Sequence, residues 1–285
     1  MSKIAIVLEG GGMRGAYTAG ALSWFIDNNI EFDYGVGISS GAIHLCSYLM
    51  KNKDYLHDIS VEYMTDSKSV GINALLTEGR YVAYNHIFND ILIDKVNYDT
   101  TSLKNSDIDF EMGVYDCKAG EALYFGKEAL DDKLLFLKAT CSLTIAGQVV
   151  KYDGHEYLDG GIRYMIPIER SIEVGCDKHF IISTKHKGYV RKEASNFMKN
   201  FMSINFLKYP SVAKDYNIRH LRFNEQVAIS EKLEEEGKAY FLRPSYEIPV
   251  KRFSGDRVNL QKMYELGRAD MEADKENILK FLGRK

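Results

Sequence analysis

Three short stretches of the chain pair glycine with residues that can do chemistry: EGGGMRGAY at Glu9–Tyr17, GISSG at Gly37–Gly41 and LDGGI at Leu158–Ile162. In the first, Gly10, Gly12 and Gly15 satisfy G-x-G-x-x-G, the spacing that cradles a dinucleotide pyrophosphate at a helix N-terminus. The same turn suits an oxyanion that exists only during a reaction, because successive N–H groups at a helix start form a nest for negative charge. GISSG satisfies G-x-S-x-G, in which a serine sits on a sharp strand-to-helix turn where substrate can reach it. Gly37 and Gly41 are needed there because side chains would clash in so tight a bend. Ser39 fills the nucleophile position, and Ser40 reads as an N-cap hydroxyl for the helix that follows.

A serine hydroxyl is a poor nucleophile until a base takes its proton. Of the seven histidines, His44 follows Ser39 too closely to reach back, and His57, His86 and His220 fall in charged helices. His155, His179 and His186 lie downstream, but none has the glycine or turn signature of a presented residue. Asp159 does. Followed by Gly160 and Gly161, it would be held in a loop of unusual backbone freedom. For DGG alone, an ordinary turn aspartate is the competing reading. Arg14 reads either as a brace for the first glycine turn or as a surface arginine on a helix's first turn.

A dinucleotide site would carry an acid about 20 residues on, at the end of the second strand. Glu31 and Asp33 have roughly that separation but precede the strand Tyr34–Ile38, whose end is occupied by Ser39. The oxyanion reading is therefore favoured.

The elements around these motifs alternate. KIAIVL is a buried strand, Gly15–Ile26 a helix, Phe32–Ile38 a strand, and AIHLCSYLM a second helix, the pattern of a helix-flanked parallel sheet. Residues 54–93 read as mainly helical with a break at Lys68–Asn73. Asp109–Tyr115 and Ala122–Phe125 read as a hairpin, Leu130–Cys141 as a helix. Val149–Tyr152 and Glu156–Leu158 flank the turn dipeptide Asp153-Gly154. Ile168–Val174 is a helix and His179–Thr184 a strand. Beyond about residue 195 charged amphipathic patterns dominate, at Asp215–Glu236 and Asn259–Phe281, with Ala239–Leu242 as a strand between them. Leu221, Ile229 and Leu233 in the first, and Leu260, Met263, Leu266 and Ile278 in the second, read as core stripes.

The bulk properties set bounds. The chain has 285 residues, 45% of them hydrophobic and 27% charged, with a formal net charge of −3. That is an ordinary globular composition without the basic field that would argue for nucleic acid. Cys46, Cys117, Cys141 and Cys176 are scattered, as reduced core cysteines of a cytoplasmic protein would be. No signal peptide or membrane span is read, so any membrane contact is expected to be peripheral. The basic run KHKGYVRK at Lys185–Lys192 could meet anionic head groups or be a solvated loop.

EGGGMRG, GISSG and DGG, in this order and setting, resemble the patatin-like phospholipase family, and KHKGYVRK, LEEEGKAYFLRPS and YELGRAD in the later region resemble a bacterial subgroup of it with a C-terminal extension. The resemblance covers roughly residues 3–190. It implies a three-layer α/β/α fold with a central, mainly parallel sheet, plus a largely helical C-terminal extension over 191–285 packed on the same domain. It also implies a Ser-Asp dyad that uses neither cofactor nor metal. Ser39 would be the nucleophile and Asp159 the proton acceptor. Gly10, Gly11 and Gly12 would form the oxyanion turn, supported by Arg14, Gly15, Gly37, Gly41, Gly160 and Gly161. The implied substrates are lipid carboxylic esters. An acyltransferase on the same scaffold and a nucleotide-binding module remain as alternatives.

Overall fold

A computed structural model describes residues 2–253 and 255–284. The opening alternation is realised as β1 (Ile4–Leu8), α1 (Gly15–Asp27), β2 (Tyr34–Ile38) and α2 (Ser40–Leu49). There follow α3 (Lys53–His57), α4 (Ile72–Glu78) and α5 (Thr100–Lys104), with π-helical stretches at Asp58–Glu62 and His86–Lys95. Next come the hairpin β3 (Asp109–Asp116) and β4 (Glu121–Gly126), then α6 (Leu135–Thr140), the hairpin β5 (Val150–Tyr152) and β6 (His155–Asp159), α7 (Ile168–Glu173) and β7 (Lys178–Ile182). The remainder is α8 (Asn196–Asn205), α9 (Pro210–Asn217), α10 (Arg219–Glu235), β8 (Ala239–Leu242), α11 (Arg257–Ala273) and α12 (Lys275–Phe281).

The helix expected over Leu130–Cys141 is shortened to α6. Leu134 is left-handed at φ 52°, and Asp131 Oδ1 accepts the N–H groups of Lys133 and Leu135. An aspartate that bonds the backbone just ahead offers it an alternative to helix. The break expected at Lys68–Asn73 ends earlier, since Ile72 and Asn73 already belong to α4.

The sheet has eight strands in the order β5-β6-β3-β2-β1-β7-β8, with β4 paired to β3. From β3 through β8 the neighbours run parallel, while β4, β5 and β6 are antiparallel. Period-two alternation along β1 sends its side chains to two cores. Ile6 and Leu8 join Leu22, Phe25 and Leu45 of α1 and α2 and Leu260 and Met263 of α11. Ala5 and Val7 join Ile168 of α7 and Phe223 of α10. Helices thus cover both faces, which is why β1 and β2 are near-continuous apolar runs. The fold is a three-layer α/β/α arrangement with a helical C-terminal region.

That C-terminal region packs directly on the rest. β8 pairs with β7, and α11 crosses α1 at a point where each helix offers glycine. A Cβ on Gly20 would stand 1.9 Å from the Tyr264 carbonyl oxygen, and one on Gly267 would stand 2.1 Å from that of Tyr17. Tyr17 Oη donates to Asp270 at 2.9 Å and Trp24 Nε1 to Glu272 at 2.6 Å. Leu260, Met263, Leu266 and Ile278 are buried as expected. Leu221 is not: it is 58% exposed, and α10 instead buries Phe223, Gln226 and Ser230.

Candidate active site

Sheet register places Ser39 and Asp159 together. β2 runs parallel to β3 and ends with Ile38 opposite Gly113. β6 runs antiparallel to β3 and ends with Asp159 opposite Val114, the next residue. Because β4 occupies the other edge of β3, β2 and β6 share one edge and meet end to end. The residue after β2 and the last residue of β6 therefore converge at one point. Ser39 is 6% exposed and Asp159 3%. Both residues border one cleft.

Glycines make that meeting sterically feasible. A Cβ on Gly160 would fall 2.5 Å from the Gly113 carbonyl oxygen, one on Gly37 2.7 Å from the Ala42 nitrogen, and one on Gly41 2.7 Å from the Leu8 carbonyl oxygen. Thr140, a residue the sequence reading passed over, locks the junction. Its Oγ1 accepts the Ser39 N–H at 3.0 Å and donates to the Gly113 carbonyl at 2.5 Å. The Asp159 N–H is taken by the Ser142 carbonyl at 2.8 Å.

Ser39 itself has φ 56° and ψ −125°, a conformation that costs a non-glycine residue about 1–3 kcal/mol. Alanine retains the strained Cβ and glycine does not. Ser39→Gly is therefore expected to be more stable than Ser39→Ala by about 1 kcal/mol, after allowing for the unfolded-state entropy of glycine. Urea denaturation of the two variants checks this; an alanine variant as stable as the glycine one would mean the bend is unstrained.

The first glycine turn follows β1 and opens α1 through a short 3-10 turn at Gly12–Arg14. Its N–H groups are not equivalent. Gly10 donates to the Met165 carbonyl at 3.1 Å, Gly11 to Ser40 Oγ at 2.9 Å and Met13 to the Arg252 carbonyl at 3.1 Å. Gly12, at φ 59°, has no hydrogen-bond partner for its N–H among the described residues. Of the three glycines read as oxyanion donors, Gly10 and Gly11 thus donate within the protein, while Gly10 and Gly12 both border the cleft beside Ser39. Ser40 acts through its hydroxyl on Gly11 rather than as a side-chain helix cap. The third motif glycine, Gly15, is needed for packing, since a Cβ there would meet His44 Nε2 at 2.8 Å and Ser40 Oγ at 2.9 Å.

Gly10, Gly12, Ser39, Asp159, Arg219 and Arg252 line one small cleft. Burial raises the pKa of Asp159, because it penalises the charged form; Arg219, Arg252, the Gly161 N–H and the Ser39 hydroxyl pull the other way. The Gly161 N–H reaches Asp159 Oδ1 at 2.7 Å. Arg219 Nε donates to the Gly161 carbonyl at 2.5 Å and so braces the same loop. Gln226 holds the loop's far end, its Oε1 accepting the N–H groups of Met165 and Ile166 at 3.1 Å each. Arg14 makes no such brace: its Nε is buried without a hydrogen-bond partner among the described residues.

No imidazole lines this cleft. His155 pairs with Asp116 at 2.5 Å and His179 with Ser171 at 2.7 Å. His44 is buried and borders the apolar cavity beyond Ser39 rather than the cleft; burial pushes its pKa down to about 4, so it is neutral at pH 7. Beyond Ser39 opens a second cavity of about 90 Å³, lined mainly by apolar side chains that include Met13, Ile43, Ile59, Ile87, Phe88 and Phe253. Ser39 and Gly12 border both spaces. A carbonyl held between them could place its acyl chain in the apolar cavity and its leaving group in the charged cleft.

Comparison with known proteins places the chain by sequence. A family model described as Patatin-like phospholipase matches residues 6–172, more than half of the chain. A second, described as a domain of unknown function (DUF6363), matches residues 209–283. The uncharacterized protein YjjU of Escherichia coli (strain K12) is 27% identical over 188 residues, which cover 64% of this chain and 52% of YjjU. The chain thus spans about half the length of the curated relative it matches. Among solved structures, VipD from Legionella pneumophila aligns over 95% of this chain and 66% of its own, at a TM-score of 0.45 and 10% identity.

Proposed function

The chain belongs to the patatin-like phospholipase family, and from that premise we propose that it is a serine hydrolase of lipid carboxylic esters working through Ser39 and Asp159. The observation that carries the reading is the end-to-end meeting of β2 and β6 against Gly113 and Val114. It leaves one hydroxyl and one carboxylate sharing a cleft with no histidine in it.

In the proposed reaction Asp159 accepts the Ser39 proton as the hydroxyl oxygen attacks the ester carbonyl. The Gly12 N–H, at the start of the 3-10 turn that leads into α1, donates to the oxyanion that forms. Asp159 returns the proton to the departing alcohol, leaving an acyl-enzyme. A water molecule then repeats the sequence, with its proton taken by Asp159 and restored to Ser39 as the fatty acid leaves. Aspartate is a weaker base than histidine, which favours ester over amide cleavage. Donors to a developing oxyanion are worth about 2.7–4 kcal/mol each in a serine protease, which gives the Gly12 position its weight.

A nucleotide-binding reading of the glycine turn is disfavoured. A pyrophosphate there would compete with Ser40 Oγ for the Gly11 N–H and with the Arg252 carbonyl for that of Met13. No helix of the described residues is long and apolar enough to cross a membrane. The test is chemical. A fluorophosphonate is expected to label the protein once, with the adduct located on Ser39 by mass spectrometry and absent from Ser39→Ala. Adduct on any other residue, or persistent lipid ester hydrolysis by that variant, would overturn the assignment.

A further inference from the structure

Six arginines elsewhere in the fold, Arg163, Arg170, Arg222, Arg243, Arg257 and Arg268, each have a carboxylate oxygen at 3.7 Å or nearer. Two more, Arg80 and Arg284, donate to backbone carbonyls instead. Among the described residues, Arg14, Arg191, Arg219 and Arg252, with Lys185, have no carboxylate partner at that range. Arg219 and Arg252 line the cleft beside Ser39 and Asp159. Arg219 is only 8% exposed. Arg252 leans over the glycine turn, its Cγ 2.8 Å from where a Cβ on Gly12 would stand.

Arg191 belongs to the basic run KHKGYVRK and turns inward. Asn224 Oδ1 accepts its N–H at 2.9 Å and Asn224 Nδ2 donates to its carbonyl at 3.2 Å. Its guanidinium carbon lies 5.7 Å from the Phe223 ring centroid. Arg219, Phe223 and Asn224 are all on α10, so one helix sets two of the arginines. Lys185 lies over the Tyr189 ring at 4.5 Å.

Among the described residues, Glu9 and Asp159 are the carboxylates that act on these five cations. Glu9 accepts the Ser183 hydroxyl at 2.5 Å and the Thr184 N–H at 2.6 Å; Asp159 accepts the Gly161 N–H. The excess positive charge is half-buried, and burial together with neighbouring cations pushes Arg14 down to about 10 and Lys185 down to about 8. Thr184 Oγ1, on a residue only 3% exposed, is buried without a hydrogen-bond partner, as is Arg14 Nε. Buried donors and like charges in such number are what an anion would complete.

We infer that Arg191, Arg219 and Arg252 form an anion subsite beside Ser39 that receives a phosphate group of the substrate. The inference rests on the proposed function and names the class of ester that function would act on. Guanidinium forks match phosphate oxygens in pairs. Five cations against two acids leave the cluster net positive, which disfavours a head-group cation there. The favoured substrates are therefore acyl esters with anionic phosphate head groups rather than zwitterionic ones. The subsite is supplied by residues beyond the segment 6–172 that carries the serine and the aspartate.

The experiment compares kcat/KM on phosphatidic acid and on phosphatidylcholine of equal acyl chains in the same mixed micelles, with a neutral short-chain ester as a third substrate. The intact protein is expected to prefer phosphatidic acid by about tenfold or more, and Arg191→Gln/Arg252→Gln to lose that preference. Arg191→Lys/Arg252→Lys, which keeps the charge, should retain part of it and serves if the glutamine pair does not fold. A second arm titrates Ser39→Ala with inorganic phosphate and with phosphatidic acid micelles. A thermal shift with both assigns the site to phosphate itself, and a shift with the micelles alone assigns it to the lipid head group; a shift with neither overturns the subsite. Equal rates on the two lipids, or a preference that survives the glutamine pair, also overturn it while leaving Ser39 catalysis standing. Hydrolysis by Ser39→Ala would instead overturn the catalytic reading.

Discussion

Asp159→Asn is expected to lower kcat/KM for ester hydrolysis roughly ten-thousandfold, the scale on which essential proton-transfer residues act. Asparagine can keep the oxygen that accepts the Gly161 N–H and removes only the ability to take a proton. The loss should therefore appear in single-turnover acylation, with the melting temperature little changed. Activity within tenfold of the parent would show that another group takes the Ser39 proton. As the proposed base, the same residue is expected to set the pH dependence. The base must be deprotonated, and burial holds its pKa above the ordinary aspartate value. Activity should therefore fall as pH drops through that raised value. Arg219 favours the charged form, so Arg219→Gln should move the acid limb of the profile to higher pH. An acid limb that stays in place would separate Arg219 from the base.

Gly20→Ala is expected to be the most damaging conservative change in the fold. The added Cβ would lie 1.9 Å from the Tyr264 carbonyl oxygen, backbone against backbone, so α1 and α11 must separate. Overpacking of this kind costs about 1–3 kcal/mol and sometimes more, while alanine returns about 1 kcal/mol of helix propensity. The contact is severe enough that the clash should win, with a net loss of about 2 kcal/mol and a melting temperature lower by on the order of 5 °C. Gly267→Ala strikes the same crossing from the other side. Helices already forced apart have less to lose, so the double variant should fall short of the sum of the two. A Gly20→Ala protein that melts at or above the parent temperature would mean that the crossing is looser than described.

The sequence was most informative where local rules act. The glycine turns, the strand-to-helix bend at Ser39 and the hairpin leading to Asp159 each announce themselves within a few residues. Their convergence is a matter of register, and the spacing of motifs along the chain does not contain it. Thr140 could not be found because its role depends on a gap between two strand ends that exists only in the assembled sheet. Arg219 and Arg252 were invisible for a related reason: nothing near them in sequence says which cleft they return to. The misreading of Leu221 has a different origin. The inner face of α10 packs on the loop around Met165, whose buried N–H groups need an acceptor. Gln226 therefore occupies a position that a hydrophobic-spacing rule would give to leucine.

The hydrogen bond from the Met13 N–H to the Arg252 carbonyl has a consequence for biosynthesis. Domains emerge from the ribosome N-terminus first, so the segments carrying Ser39 and Asp159 leave the exit tunnel well before Arg252. Until that late segment arrives, the turn at Met13 lacks its acceptor and α1 lacks the helix that buries its outer face. A nascent polypeptide would thus hold Ser39 in an unfinished setting until the segment carrying Arg252 and α11 has emerged.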